Sequence, residues 1–305
     1  MTKRVLVTGA SGFVGRAVVP LLQERGFEVH AIGRTVPLES RITFHPADLL
    51  ALAEVSAVVA VVRPSHLLHL AWYAEPGLYW KSSKNLDWVA ASLHLVRGFA
   101  EAGGERAVVA GTCAEYEWGS PRLHETRSAC VPATLYGAAK DGLRRILEAY
   151  AAAADLSLAW GRIFYLYGPG EKPGRLVSDA VRGLLAGDRF PTSEGRQKRD
   201  FLHIADAAAA FRALLDGAVQ GPVNIGSGRA VPIGALLERV AAEIGRQDLL
   251  ALGERPLSPS EPPSIEADTR RLVEEVGFTP QYDLERGLAE TVAWWRARST
   301  TGRAT

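Results

Sequence analysis

The sequence predicts an α/β protein built on a doubly wound parallel sheet of the Rossmann type, with a smaller mixed C-terminal lobe. Two observations predict this fold. Short apolar runs alternate with longer helical patterns through the first half of the 305 residues, which is typical of parallel strands joined by crossover helices. These runs are rich in Val, Ile and Leu at successive positions, as expected of strands that helices cover on both faces.

The strands expected in the first half are short runs bounded by polar or glycine-rich segments. They are RVLVT from Arg4, EVHAI from Glu28, ITFH from Ile42, HLLHLA from His66 and RAVVAG from Arg106. Helical periodicity predicts helices over Asn85–Ala102 and Tyr136–Ala154. A further strand, LSLAWGRIF, begins at Leu156.

The regular alternation ends at the turn Gly168-Pro169-Gly170. We therefore expect one lobe over residues 1–167 and a substrate-binding lobe over 168–305, with the chain returning to the first lobe around 203–227. The proline-rich segment RPLSPSEPP from Arg255 fits either a linker or a loop laid over a ligand.

Composition excludes several classes of partner. Lys+Arg 35 nearly balance Asp+Glu 34 without a basic run, which argues against nucleic acid. The cysteines, Cys113 and Cys130, lack metal-ligand spacing, so we expect no metal site and a reducing compartment. Because the start lacks a leader pattern and no run reaches roughly 18 apolar residues, we expect a cytoplasmic protein without a membrane partner.

A glycine-rich turn follows the first predicted strand and opens the first predicted helix. Backbone amides at such a helix N-terminus can bind a pyrophosphate. A glycine triplet alone also occurs in ordinary turns, but its place in a βαβ unit is the context that predicts a dinucleotide site. The residues expected to contact the dinucleotide here are Gly9, Ser11, Gly12, Phe13, Val14 and Gly15.

The end of the second predicted strand indicates which dinucleotide is bound. An acidic residue there would bind the ribose 2′-hydroxyl of NAD, but the strand ends Ile32-Gly33-Arg34-Thr35. Arg34 offers a planar cation for a 2′-phosphate, so we expect NADP(H) to be preferred and NAD(H) to be possible. The alternative is that Arg34 is a solvated loop residue.

Tyr136 and Lys140 are four residues apart on a predicted helix, so their side chains share one face. Lowering a tyrosine pKa by ~3 units requires ~4 kcal/mol, about what a cation ~4 Å away supplies if desolvation is ignored. The alternative is an aromatic ring packed under a surface lysine. Thr112, at the end of the fifth strand, is placed either to bond a substrate oxygen or to satisfy the backbone of a turn.

Several motifs together resemble the extended short-chain dehydrogenase/reductases, a family of nucleotide-sugar epimerases, dehydratases and reductases. These motifs are the glycine turn, Thr112 followed by Tyr116, Tyr136-x-x-x-Lys140, Arg199-Asp-Phe-Leu-His-Ile, Asn224-Ile-Gly-Ser and the closing ADTRRL. The resemblance implies that Tyr136 is the general acid/base and that Lys140 holds the nicotinamide ribose and lowers the tyrosine pKa. It also implies that Thr112 orients the reacting oxygen.

The resemblance also implies contacts farther from the chemistry. Asp48 with Leu49 would meet the adenine, and Leu70 with Ala71 would line the dinucleotide. The implied substrate-binding residues are Asn85, Tyr165, Arg199 and Arg255, the two arginines gripping the diphosphate of a nucleotide sugar. The alternatives are N-caps for Asp48 and Asn85, core packing for Ala71 and exposed surface positions for the arginines.

Departures from the family pattern narrow the reaction. Cys113 and Ala114 stand where sugar dehydratases have Asp-Glu, and Tyr165 stands where many epimerases have asparagine. The segments GTCAEYEW from Gly111 and PATLYG from Pro132 look most like those of the 4-keto-6-deoxysugar nucleotide reductases. The resemblance thus implies NADPH-dependent reduction of a C4 ketone. The alternatives are a 4-epimerase with tightly bound NAD, or an inactive dinucleotide-binding sensor or scaffold. The family resemblance further implies a homodimer formed through the helices Asn85–Ala102 and Tyr136–Ala154.

Overall fold

The structure is a computed structural model that describes residues 3–36, 42–120, 122–258 and 261–301. The strands are β1 (Arg4–Thr8), β2 (Glu28–Gly33), β3 (Thr43–Pro46), β4 (His66–His69), β5 (Arg106–Thr112), β6 (Ser157–Ile163), β7 (Tyr165–Tyr167), β8 (Phe190–Pro191), β9 (Lys198–His203), β10 (Gly221–Ile225), β11 (Ala230–Pro232), β12 (Leu250–Ala251) and β13 (Ser264–Ile265). The helices are α1 (Phe13–Glu24), α2 (Leu52–Val62), α3 (Lys84–Glu101), α4 (Leu135–Ala153), α5 (Leu176–Ala186), α6 (Ile204–Asp216), α7 (Ile233–Ile244) and α8 (Leu284–Thr301).

Among the described residues, seven parallel strands form the main sheet in the order β10-β6-β5-β4-β1-β2-β3. The predicted doubly wound parallel sheet is therefore confirmed. The direction of winding reverses between β1 and β4, and in such sheets ligands bind in the crevice beyond the carboxyl ends at this point. The predicted glycine turn follows β1, so the topology places it at that crevice.

Helices cover both faces of the main sheet, which explains the continuous apolar runs of its strands. In β1, Val5 and Val7 pack toward α1 and α6, whereas Leu6 packs toward α2, α3 and α4. All three side chains have no exposed surface. Burial on alternate faces requires an apolar residue at every position, and this is the pattern read from the sequence.

The second lobe is built on a mixed sheet in the order β11-β9-β13, with β7 also paired to β9. Only β11 runs antiparallel to β9 among these pairs. Helices α5, α7 and α8 pack together on this lobe through residues such as Val181, Leu237 and Val292. Meanwhile β10 pairs with β6 at the edge of the main sheet. The division of the chain at residue 167 stays a prediction.

Over the ranges that the structure describes, no helix combines the length and the apolar character needed to cross a bilayer.

Candidate active site

The glycine turn after β1 is packed so tightly that side chains would not fit. Gly9 has φ +70°, and a Cβ there would lie 2.8 Å from the Ala71 nitrogen. A Cβ at Gly15 would lie 2.1 Å from the Gly9 oxygen. Helix α1 begins immediately afterwards with Gly12 as its N-cap residue, and no side chain among the described residues caps it. The free amides at this helix N-terminus fit the diphosphate of a dinucleotide.

The other residues predicted for the turn lie at the same helix N-terminus. Ser11 is exposed, whereas Phe13 and Val14 are half-buried.

A buried hydrogen-bond network holds the end of β4 against this turn. The Thr8 hydroxyl oxygen accepts the backbone N–H groups of Leu70 and Ala71, both at 3.1 Å. It also bonds the His69 Nδ1 at 2.7 Å, and the His69 Nε2 lies 2.8 Å from the Ser92 hydroxyl. Burial lowers the pKa of His69 to about 3, with the Lys140 charge adding to the effect, so the imidazole is neutral. Sequence reasoning missed this network because its members lie far apart along the chain.

The residues predicted for the adenosine end follow β2 and β3. Arg34 is exposed directly after β2, which leaves open both its predicted role and the solvated alternative. The Asp48 carboxylate accepts the Leu50 N–H at 3.0 Å, and Leu49 is buried. The N-cap of α2 is Ala51, so the N-cap alternative for Asp48 is wrong.

Thr112 ends β5 and begins a short 3₁₀ turn over Cys113–Glu115. Its hydroxyl oxygen accepts the Ala114 N–H at 3.2 Å, and its own N–H donates to the Glu115 carboxylate at 2.8 Å. The hydroxyl also lies close enough to the Tyr136 phenol to lower the pKa of that phenol, against the effect of burial. Thr112 thus satisfies a turn and faces the tyrosine at the same time.

Glu115 anchors this turn in the protein interior. Its carboxylate has no exposed surface and accepts hydrogen bonds from Trp160 Nε1 at 2.9 Å and Arg162 Nε at 2.7 Å. Arg162 in turn donates to the Tyr116 hydroxyl at 2.9 Å. The buried pair of Glu115 and Arg162 is fully hydrogen-bonded. Because Glu115 also accepts the Thr112 N–H, the pair fixes the backbone of Thr112.

Helix α4 carries the predicted Tyr136 and Lys140. Its N-cap residue Thr134 accepts the Gly137 N–H at 3.1 Å, which starts the helix one residue before the tyrosine. Lys140 is 3% exposed. Its ammonium donates to the Ala110 carbonyl at 2.8 Å and lies 3.7 Å from the centre of the Trp72 ring. The alternative of a surface lysine is therefore wrong.

Burial dominates the pKa of both groups. It raises the pKa of the Tyr136 phenol, with Tyr79 adding to the effect and Thr112 opposing it. It lowers the pKa of Lys140 to about 7, against the opposing charge of Glu115. The tyrosine pKa is therefore raised in this structure and not lowered as predicted, because burial disfavours the charged phenolate.

An aromatic segment between β4 and α3, residues 72–83, forms the wall beside Tyr136. The rings of Tyr79 and Trp80 meet the Tyr136 ring edge to face, at 4.8 Å and 5.7 Å between centres. The Trp80 carbonyl also accepts the Tyr136 N–H at 3.1 Å. The segment has neither helical nor strand periodicity, so sequence reasoning missed its part in the site.

Asn85 was predicted to bind substrate, and the structure places it behind this wall. It has no exposed surface. Its amide oxygen accepts the Trp72 Nε1–H at 2.8 Å, and its amide nitrogen donates to the carbonyls of Tyr79 and Ser82 at 2.8 Å and 2.9 Å. The predicted direct contact is wrong because the side chain is fully buried and both amide hydrogens are bonded within the protein. The residue shapes the site indirectly, by fixing the segment 72–83. The N-cap alternative is also wrong, because that position belongs to Ser83.

Tyr165 and Arg199 meet on the C-terminal side of the cleft. The Arg199 side chain is 1% exposed, lies 5.7 Å from the Tyr165 ring centre and forms an ion pair with Glu261. It is therefore not a surface arginine. Arg255 is exposed, so that alternative stays open for it. Within the segment RPLSPSEPP, residues 259 and 260 lie outside the described part of the chain.

Comparisons with known proteins agree with this geometry. The model of the "NAD dependent epimerase/dehydratase family" matches residues 5–226. The dTDP-6-deoxy-L-talose 4-dehydrogenase (NAD(+)) of Aggregatibacter actinomycetemcomitans is 28% identical over 78% of this chain and 90% of its own. The dTDP-4-dehydro-6-deoxy-D-allose reductase of Streptomyces bikiniensis is 27% identical over 96% of both. The solved structure of MoeE5 with UDP-glucuronic acid and NAD superposes with a TM-score of 0.85 and 29% identity, over 97% of this chain and 99% of MoeE5. The chain therefore belongs to the NAD dependent epimerase/dehydratase family.

Proposed function

We propose that this protein is an NADPH-dependent reductase of the C4 ketone in a nucleotide-linked 4-keto-6-deoxysugar. The observation that carries the proposal is the half-buried Tyr136 phenol beside the Thr112 hydroxyl at the carboxyl end of β5. Because burial raises the pKa of Tyr136, the phenol keeps its proton at neutral pH. A protonated acid is the form that net reduction of a ketone requires.

Proton transfer follows from these positions. When bound, a reduced nicotinamide supplies the hydride for the ketone carbon. Tyr136 donates its proton to the carbonyl oxygen as negative charge develops there, and the Thr112 hydroxyl offers that oxygen a second hydrogen bond. The Lys140 ammonium, held by the Ala110 carbonyl and the Trp72 ring, stabilises the phenolate that remains.

The cofactor would lie across the glycine turn, with its diphosphate at the start of α1. Gly9, Gly12 and Gly15 leave the backbone open to it, and Leu70 and Ala71 border it from β4. We propose NADP(H) as the preferred form because Arg34 is exposed where the 2′-phosphate would lie. The family description and two of the compared proteins name NAD, so NAD(H) is the alternative form.

The substrate would extend from Tyr136 toward the C-terminal lobe. Arg199 is a buried guanidinium on β9 whose fork suits a diphosphate, and Tyr165 lies beside it. The relatives support the sugar assignment, since the names of two describe a reductase and a dehydrogenase that act at C4 of dTDP-6-deoxysugars. Arg255 remains a proposed second ligand of the diphosphate.

We also propose that the protein is a homodimer formed through α3 and α4. Leu86 on α3 and Ile146 on α4 are 59% and 51% exposed, which gives both helices apolar surface outside the core. Light scattering on L86K/I146K and on wild type measures the assembly. We expect a dimer for wild type and a monomer for the variant.

Purified protein with NADPH and a panel of dTDP- and UDP-4-keto-6-deoxysugars tests the reductase. Wild type oxidises NADPH with at least one of them. Tyr136→Phe lowers kcat by about 10²–10⁴-fold while NADPH binding, followed by fluorescence, is unchanged. If no sugar of the panel supports NADPH oxidation, the proposal is wrong.

The second candidate is a 4-epimerase that retains NAD. The NAD held by MoeE5, at 29% identity, favours it. An epimerase shows dinucleotide absorbance in the protein as isolated and interconverts C4 epimers without net cofactor turnover. The same absorbance with no turnover of any sugar would instead favour an inactive dinucleotide sensor.

A further inference from the structure

The lobes meet beside Tyr136, where the start of α5 touches the segment 72–83. Arg175 reaches across this junction. Its Nη2 donates to the Ala74 carbonyl at 3.2 Å, and its Nη1 lies 3.5 Å from the Tyr79 hydroxyl. Its guanidinium carbon also lies 5.3 Å from the centre of the Tyr79 ring. The neighbouring Gly174 packs so closely that a Cβ there would lie 2.8 Å from the Pro76 side chain.

The Arg175 side chain has no capping role in its own helix. Arg175 is the N-cap residue of α5 and makes no capping bond there. A cation at a helix N-terminus is disfavoured by the helix dipole, by about 0.3–1 kcal/mol. The N-terminal turn is instead served by the buried Glu171, whose carboxylate accepts the Ser178 N–H at 2.9 Å. The Arg175 charge also attracts the Glu171 carboxylate, but the hydrogen bonds of its side chain cross the lobe junction.

Tyr79 connects Arg175 at this junction to Tyr136, the proposed acid. It is 7% exposed, and its ring packs edge to face on Tyr136 at 4.8 Å. The next residue, Trp80, accepts the backbone N–H of Tyr136 at 3.1 Å. A short chain of contacts thus runs from Arg175 in the C-terminal lobe through Tyr79 to Tyr136 on α4.

We propose that Arg175 is a positioning residue that clasps the segment 72–83 and, through Tyr79, fixes the Tyr136 phenol relative to a sugar bound between the lobes. The inference rests on the proposed function, in which Tyr136 is the acid. The clasp acts on the chemical step because a small displacement of an acid from the reacting oxygen costs rate even when the substrate still binds.

Steady-state kinetics of the full-length enzyme with NADPH and its 4-keto sugar nucleotide tests the clasp. Arg175→Gln lowers kcat on the order of tenfold and leaves both KM values within about twofold. The matched control, Arg182→Gln, changes an exposed arginine of the same helix and leaves kcat as in wild type. A rise confined to the sugar-nucleotide KM, with kcat unchanged, would make Arg175 a substrate ligand and overturn the clasp.

A double-mutant cycle separates the clasp from a general structural effect. Tyr79→Phe removes only the hydroxyl, keeps the ring against Tyr136 and lowers kcat less than Arg175→Gln does. The double variant R175Q/Y79F is no slower than R175Q, because both changes break one chain of contacts. Independent, multiplicative losses would contradict the proposal. If R175Q does not fold, Y79F alone decides, since an unchanged kcat there contradicts transmission through the hydroxyl.

Hydrogen exchange gives a readout that does not depend on turnover. In R175Q, peptides covering 72–83 and the start of α4 exchange faster than in wild type, while peptides of β1 and α1 do not. Unchanged exchange at 72–83 overturns the clasp. If wild type reduces no sugar but R175Q still exchanges faster than wild type at 72–83, the reductase is refuted and the proposed role of Arg175 stands.

Discussion

The buried Lys140 should make the protein less stable than it would be with an apolar residue in the same place. Burial lowers the pKa of Lys140 from its ordinary 10.5 to about 7, a shift worth about 5 kcal/mol against the charged form. Replacing it with Met removes that cost but also removes the bond to the Ala110 carbonyl and the contact with the Trp72 ring, together about 3 kcal/mol. We expect Lys140→Met to raise the free energy of unfolding by about 2 kcal/mol at pH 6.

The pH dependence of this gain has a definite sign. The folded pKa is lower than the unfolded one, so above pH 7 the folded wild type releases a proton that the unfolded chain keeps to about pH 10. Wild type then gains about 1.4 kcal/mol per pH unit relative to Lys140→Met. Urea unfolding at pH 6 and pH 8.5 measures both variants, with the exposed Lys172→Met as the control. The reasoning is refuted if Lys140→Met is the less stable protein at pH 6, or if the difference does not change with pH.

Three further changes test other parts of the site. Glu115→Gln breaks the buried pair with Arg162 and should lower the free energy of unfolding by about 3–5 kcal/mol in urea; a loss below about 1 kcal/mol would mean that the pair does not anchor the turn. Glu261→Gln frees the buried Arg199 and should tighten nucleoside diphosphate binding roughly tenfold by calorimetry, about 1.4 kcal/mol, whereas weaker binding would make Glu261 part of the binding site. Arg34→Asp should weaken NADPH binding by about ten- to a hundredfold and spare NADH, and a wild type that binds NADH at least as tightly as NADPH would contradict the predicted preference.

The elements that the sequence predicted are those that depend on local pattern. Continuous apolar runs indicate strands buried on both faces, and the glycines from Gly9 to Gly15 indicate a tight turn. The sheet and the place of the turn could therefore be predicted. The contacts of Arg175 with Ala74 and of Arg199 with Glu261 join residues 101 and 62 apart. No local pattern records such contacts.

The direction in which the Tyr136 pKa is shifted could not be predicted from the sequence either. Four-residue spacing placed a cation near Tyr136 but carried no information on solvent. Charge attraction and desolvation oppose each other, and only the depth of burial decides which is larger. The aromatic segment 72–83 supplies that depth on one side, and it has no periodicity by which to be found.

The side chains of the turn after Thr112 support the proposed reduction over a dehydration. Elimination of water from a sugar needs a base at the carbon that loses a proton and an acid at the carbon that loses its hydroxyl. Burial raises the pKa of the Cys113 thiol to about 12, so this side chain stays neutral, and Ala114 has no titratable group. The carboxylate of Glu115 is fully buried and bonded to Thr112, Trp160 and Arg162. The turn therefore adds no second acid or base beside Tyr136, which supports the proposed hydride and proton transfer at one carbon.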